Sequence, residues 1–338
     1  MKKRAILLVN LGSPDSFQVK DVKTYLKEFL MDEKVIDIPF LVRYLLVNGV
    51  IVPFRAAKSA ERYRSIWTKH GSPLIHITGQ ITELLQEKSD LPVYMCMRYG
   101  HPAPKDVLKE ISKQKPGLEE LVILPLYPHY AMSSYETAVE HVEKAFNAGD
   151  YPFALKVIPP FYNHHEYISA LADSIKPYLQ ETYDHILFSY HGIPERHILK
   201  SDITGNHCLK SKDCCSVSSA AHQTCYRHQV IETTKMVAAK LQLPENKYSF
   251  SFQSRLGKDK WLQPDTAVLF KDFPGKGIKK LLVVCPAFVS DCLETLEEIE
   301  VEGNELFRQS GGESFTMIPC LNTQPEWIST MNTLANRI

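Results

Sequence analysis

The chain has 338 residues, 44% hydrophobic and 23% charged, with 39 basic against 39 acidic side chains. That profile excludes a disordered chain and a basic nucleic-acid binder, and the length allows two domains with real cores. No run approaches the roughly 18 unbroken apolar residues of a membrane span.

The opening MKKRAILLVNLGSPD has an apolar core too short for a signal peptide, and no small-residue cleavage site follows. It reads as the first buried strand of a cytoplasmic protein. Apolar runs at 5–11, 92–100, 121–128 and 153–161 predict parallel strands. Segments of helical period at 20–31, 58–69, 75–88, 104–114 and 134–146 separate them. Residues 39–54, PFLVRYLLVNGVIVPF, are strongly apolar with one charge and fit a buried helix as well as an exposed lip. The second half repeats the theme, with strands at 185–194, 248–255, 281–289 and 315–321. Its helical segments lie at 165–181, 220–242, 291–309 and 325–336. Strand alternating with helix predicts α/β architecture in two lobes, each a four-stranded parallel sheet flanked by helices. The first lobe is expected over 1–157 with a returning segment 315–338, and the second over 158–314.

Function in such sheets gathers beyond the carboxyl ends of the strands. Those ends read NLGSPD, RYGHP, LYPHYAMSS, SYHGIP, FQSRLG and CPAFVSD, so arginine, tyrosines and histidine share one side. A dinucleotide GxGxxG, a phosphate loop and a GxSxG elbow are all absent. His191, at the end of an apolar strand and followed by Gly192, reads as either a satisfied structural histidine or a base, since neutral imidazole accepts protons near pH 7. Glu294, Glu298 and Glu302 recur at i, i+4 and i+8 with no Lys or Arg from 281 to 307. That stripe is either a solvated face or a track for a hard or borderline cation. Ser290 or Asp291 is positioned to cap its helix.

Four of the eight cysteines, Cys208, Cys214, Cys215 and Cys225, fall in one stretch spaced C-x5-CC-x9-C. The spacing matches neither zinc ribbons nor ferredoxin runs, and clustered thiols in a cytoplasmic chain point to metal or redox chemistry. His207 and His222 are alternative ligands.

LVNLGSPD, SYHGIPERH, FQSRLGKDKWLQPDT and PAFVSDCLETLEEI, with LPLYPHYAMSS and MRYGHP, together resemble the signature segments of ferrochelatase, in order over nearly the whole chain. The resemblance implies two Rossmann-like lobes around a porphyrin cleft and insertion of ferrous iron into a porphyrin. It implies catalytic roles for His191 and Glu294, with iron passed along Glu298 and Glu302. Porphyrin contacts are implied for Leu11, Met31, Arg55, Tyr127, Ser133, Ser189, Tyr190 and Trp261, with Arg55 and Ser133 on the propionates. Arg98 fits either a similar contact or a structural salt bridge.

Some ferrochelatases carry a [2Fe–2S] cluster in an internal cysteine-rich insertion, here 207–225, which makes a cluster the expectation and zinc or free thiols the alternatives. Three departures stand out: Cys292 where many members have histidine, His129 where glutamine is frequent, and Leu11 where coproporphyrin enzymes tend to have tyrosine. Leu11 therefore points to protoporphyrin IX, with coproporphyrin III, another metal or tetrapyrrole, or a non-catalytic haem or porphyrin carrier as alternatives. The implied partners are porphyrin and ferrous iron, not nucleic acid, with peripheral membrane contact through 39–54 and a monomer or homodimer.

Overall fold

The computed structural model describes residues 3–255, 257 and 259–337. Leu256 and Lys258 of the FQSRLGKDKW segment lie outside the described residues. Two compact units emerge: Met1–Leu126 with Met132–Pro159 and Thr323–Ile338, and Tyr127–Ala131 with Pro160–Asn322.

The first unit holds a sheet of order β2-β1-β3-β4, all parallel, from β1 (Arg4–Gly12), β2 (Val93–Tyr99), β3 (Glu120–Pro125) and β4 (Ala154–Val157). Ala5 to Val9 are fully buried, which is why β1 is apolar without alternation: helices cover both faces. Each such side chain contributes about 1.5–3 kcal/mol of burial. The covering helices include α1 (Val19–Leu30), α2 (Phe40–Leu45), α3 (Val52–Ile66), α4 (Pro73–Lys88), α5 (Pro104–Gln114) and α6 (Thr137–Asn147). The C-terminal helix also belongs here, since Arg4 at the start of β1 donates to the Ala335 carbonyl and pairs with Glu120.

The second unit repeats the order as β6-β5-β7-β8, again all parallel, from β5 (His185–His191), β6 (Tyr248–Gln253), β7 (Lys280–Val284) and β8 (Ser314–Ile318). Ile186 to Tyr190 are fully buried, as the middle of β1 is. The helices of this unit are α7 (His165–Ile175), α8 (Glu195–Ser201), α9 (Tyr226–Lys240), α10 (Thr266–Asp272) and α11 (Asn304–Gln309). The helix returning to the first unit is α12 (Pro325–Asn336).

All eight predicted strands are present, but two boundaries move. Pairing of β8 with β7 keeps residues 315–322 in the second unit, so the chain returns to the first at Thr323 instead of 315. Tyr127–Ala131 also joins the second unit, because Tyr130 N–H donates to Gln229 and His129 bonds Thr233, both on α9.

The largest departure concerns 39–54. It is neither a buried helix nor irregular: α2, a π-helical turn (Leu46–Ile51) and α3 run as one helix, Phe40–Ile66. By length and composition that 27-residue helix could cross a membrane, contrary to the sequence expectation, and only 22% of its most apolar window is buried. Its inner face is committed to the protein, since Val47, Val52 and Ala56 pack with Leu30. Buried Arg43 donates to the carbonyls of Ile36 and Ile38. Outward point Phe40, Leu41, Val42, Tyr44, Leu45, Val50 and Phe54, all at least half exposed. One face of this helix is thus in the protein core and the other is bare.

Candidate active site and thiol loop

β5 delivers His191 to its own end because the next residue cannot carry a side chain. A Cβ on Gly192 would lie 2.7 Å from the Gln253 carbonyl oxygen, which accepts the Gly192 N–H at 2.8 Å. The strand therefore closes against β6 and leaves the imidazole at the rim, partly exposed, edge-on to Phe288. The hydroxyl of Tyr226, first residue of α9, donates to the His191 carbonyl at 2.8 Å. His191 Nδ1 is buried and has no hydrogen-bond partner. Burial pushes the His191 pKa below the ordinary histidine value, with the charge of Glu294 opposing it. The ring is thus a neutral proton acceptor at pH 7.

Glu294 opens a ten-residue π-helix, Glu294–Gly303, that runs into α11. Its i→i+5 winding has more than four residues per turn, so residues four apart line up more closely than on an α-helix. Glu294, Glu298 and Glu302 are all partly buried, whereas Glu300 between them is exposed. The simple solvated-face alternative thus does not describe this stripe. Ser254 Oγ donates to Glu298 Oε2 at 2.5 Å, and Gln253 Nε2 donates to the Glu294 carbonyl at 3.0 Å.

The helix entry is held differently from the expected N-cap. Asp291 Oδ1 accepts from the Thr295 hydroxyl and the Cys320 N–H rather than from an N–H of the helix's first turn, and Asp291 Oδ2 accepts from Asn322 Nδ2. Thr295 Oγ1 in turn accepts the Cys292 N–H. The Cys292 thiol bonds the Glu294 carboxylate, and burial holds that thiol protonated. It is a neutral donor where an imidazole would titrate.

Ser189 and Tyr190 are wholly enclosed, so here they support His191 and do not form an open wall. The Ser189 hydroxyl donates to Gln253 Oε1, and the Tyr190 hydroxyl donates to Thr234, which passes its own proton to the Val230 carbonyl. Trp261 is partly exposed, with a ring carbon 3.3 Å from where a Gly192 Cβ would be. Tyr127 is buried in the same unit.

In the first unit, Leu11 is partly exposed at the end of β1 and precedes Gly12, whose φ is +101°. A Cβ there would fall 1.8 Å from the Tyr99 carbonyl oxygen. Met31 follows α1 and Ser133 sits on a π-helical turn, Met132–Glu136, both half-buried. Arg55 on α3 is exposed and makes no hydrogen bond or ion pair among the described residues. Arg98 resolves to the structural alternative: it pairs with Asp32 at 2.6 Å and donates to Thr137. Burial raises the Asp32 pKa, but hydrogen bonds from Thr137, the Lys34 backbone and Tyr99, with the Arg98 charge, bring it below the usual value. These groups and Met31 border a polar cavity of about 210 Å³.

Cys208, Cys214, Cys215 and Cys225 are buried and unbridged. Cys225 contacts both Cys208 and Cys215, and Cys215 contacts Cys214, so the four thiols form a connected nest. Among the described residues no three His, Cys, Asp or Glu gather in a group that could hold a metal ion. Arg227 Nη1 lies 3.8 Å from Cys214 Sγ and 3.7 Å from Cys215 Sγ. His207 and His222 both donate Nε2–H to the Cys214 carbonyl, and His228 donates Nδ1–H to that of Cys215. Asp202 accepts from the backbone N–H of His207 and Cys208. Four adjacent buried sulfurs beside a guanidinium fit, in kind and number, a thiolate-ligated two-iron cluster.

Sequence reasoning missed Gln253, Ser254, Tyr226 and Arg227. Only the strand end FQSRLG hints at the first two, and the partners of all four lie tens of residues away or across the thiol loop.

Two parallel sheets of this order, with a histidine and a carboxylate ladder at the strand ends, define an α/β metal chelatase. The chain resembles a solved structure described as SirB from Bacillus subtilis with Fe3+, at TM-score 0.54 and 13% identity over 99% of this chain and 96% of that one. The Ferrochelatase family model matches residues 3–337. Ferrochelatases of Opitutus terrae and Pseudomonas syringae pv. tomato are 49% and 44% identical over all of this chain, covering 97% and 98% of theirs. The chain belongs to the ferrochelatase family.

Proposed function

We propose that the protein inserts ferrous iron into protoporphyrin IX, releasing two protons and forming haem. The observation that carries this reading is the placement of His191 at the end of β5, edge-on to Phe288 with a bare ring nitrogen, in the unit whose acidic π-helix begins at Glu294. A free porphyrin holds two N–H protons in a flat ring, so iron enters only once the ring is bent and both protons have left. His191 accepts the first proton at its ring nitrogen, which burial has kept free at neutral pH. Glu294 takes part in the second transfer and in stripping water from iron, which reaches it past Glu302 and Glu298 as an oxygen-ligated cation. Leu11, Met31, Tyr127 and Trp261 contact the macrocycle, while Arg55 and Ser133 hold propionates, Arg55 through its free guanidinium fork. Leu11 offers the macrocycle an apolar contact, which suits protoporphyrin's vinyl groups better than the extra propionates of coproporphyrin.

Cys208, Cys214, Cys215 and Cys225 would hold a [2Fe–2S] cluster, which supplies cross-linking and one-electron chemistry to the loop. No step of metal insertion passes through it, and Arg227 offsets part of the thiolate charge.

The protein is cytoplasmic, a monomer or homodimer, and rests on a membrane surface through the bare face of α2 and α3, where apolar substrate is delivered.

Anaerobic protein mixed with ferrous iron and protoporphyrin IX should convert the free-base spectrum to that of haem over many turnovers. Binding without turnover overturns the reading in favour of a carrier, and faster turnover of coproporphyrin III overturns the substrate assignment. Visible bands bleached by dithionite mark the cluster; a colourless protein with bound zinc refutes it. Flotation with anionic vesicles tests the membrane face, and a concentration-dependent dimer that fails to float would assign that face to a second copy.

A further inference from the structure

We propose that Gln253 and Ser254 form a clamp that sets the acidic π-helix against the histidine strand, making them positioning residues for metal insertion; this rests on the roles given to His191 and Glu294. Gln253 ends β6 in register with His191. Its amide is almost wholly buried and every polar group on it is used. Oε1 accepts from the Ser189 hydroxyl at 2.8 Å and from the Cys285 thiol at 3.7 Å, while the backbone carbonyl accepts the Gly192 N–H. Nε2 donates to the Glu294 carbonyl. Gln253 thus holds Ser189 through its side chain and Gly192 through its backbone, on either side of His191, and the backbone of Glu294 through its amide.

Ser254 extends the grip by one turn. Its φ is +66°, a left-handed conformation that non-glycine residues rarely adopt without return. Here the return is direction: the hydroxyl is aimed at Glu298, the second carboxylate of the ladder, at 2.5 Å. Gln253 fixes where Glu294 stands, and Ser254 fixes which way Glu298 points. Both act through another residue, so the two halves of the clamp have separable kinetic signatures.

The test uses the full chain with steady-state kinetics for iron and porphyrin separately. Ser254→Gly keeps the left-handed backbone and removes the donor. It should raise the iron KM about tenfold, the worth of one charge-assisted hydrogen bond, with kcat and porphyrin KM within twofold. Ser254→Asn, which tolerates the same φ and brings a donor amide, should return the iron KM to within threefold of the parent. Gln253→Met should lower kcat by about 10- to 100-fold at unchanged porphyrin KM, as expected for a misplaced reacting group. An unchanged iron KM in Ser254→Gly overturns the clamp, as does a porphyrin KM that rises in step with it. His191→Ala separates the two levels: if it inserts iron at the parental rate, the proposed function itself falls. If it is dead while Ser254→Gly behaves as parent, only the clamp falls.

Discussion

The two sheets are built alike to the last residue of their central strands, yet only one ends in a reactive group. In each, the central strand closes on a glycine packed against the carbonyl that ends its neighbour: Gly12 on Tyr99, Gly192 on Gln253. In each, the residue after that neighbour is left-handed, Gly100 at +76° and Ser254 at +66°. The residue before the glycine is Leu11 in one sheet and His191 in the other. The same backbone device therefore presents an apolar side chain in the first unit and an imidazole in the second. Scaffold and chemistry are separable here, and the difference rests on a few side chains rather than on topology.

The widest test of that separation is His191→Leu, which gives the second strand end the side chain of the first. Insertion should fall by about 10²–10⁴-fold, the usual worth of a positioned base, while porphyrin affinity by fluorescence quenching stays within a few-fold. Retained insertion would mean that the base lies elsewhere.

Alanine at the two glycines should separate by degree. Gly12→Ala meets both a positive φ and a carbonyl at 1.8 Å, and should cost about 3 kcal/mol or more. Gly192→Ala meets the milder approach of 2.7 Å at an ordinary φ and should cost about 1–2 kcal/mol. Urea titrations decide this, and equal losses would break the ranking.

The smallest effect concerns His129, which the second unit draws in beside Tyr190 and Tyr226. Thr233 gives its proton to the Tyr162 carbonyl, so it accepts from His129 Nε2–H, leaving buried Nδ1 bare. Burial lowers its pKa to about 3. The unfolded chain takes up this proton near pH 6.5 and the native one refuses it, so stability is complete above that pH and drains away below it. Between pH 7 and 5 the loss from this residue is about 2 kcal/mol. His129→Gln keeps a donor for Thr233 and removes the titration. Its urea midpoint should fall less between those pH values than the parent's, and parallel falls would refute the assignment.

The sequence reading reached His191, the Glu294–Glu298–Glu302 stripe and all eight strands because period, apolar runs and turn residues are local signals. It began the helix at 58, well past its true start at Phe40, since an unbroken apolar run carries no period and Pro53 looks like a stop. Pro53 instead sits inside the continuous helix, directly after its π-helical turn, Leu46–Ile51. The π-winding was invisible because i, i+4 spacing suits either helix. Gln253 and Ser254 were unreadable as a clamp because their partners are 41 and 44 residues away.

The first turn of α9 is a splice. In four consecutive residues, Tyr226 reaches the His191 carbonyl, Arg227 the thiols of Cys214 and Cys215, His228 the Cys215 carbonyl, and Gln229 the Tyr130 amide. A chain that failed to close its cysteine nest would loosen this turn, and with it the hold on the histidine. One turn of helix thus braces the histidine strand, the thiol loop and the Tyr127–Ala131 segment together.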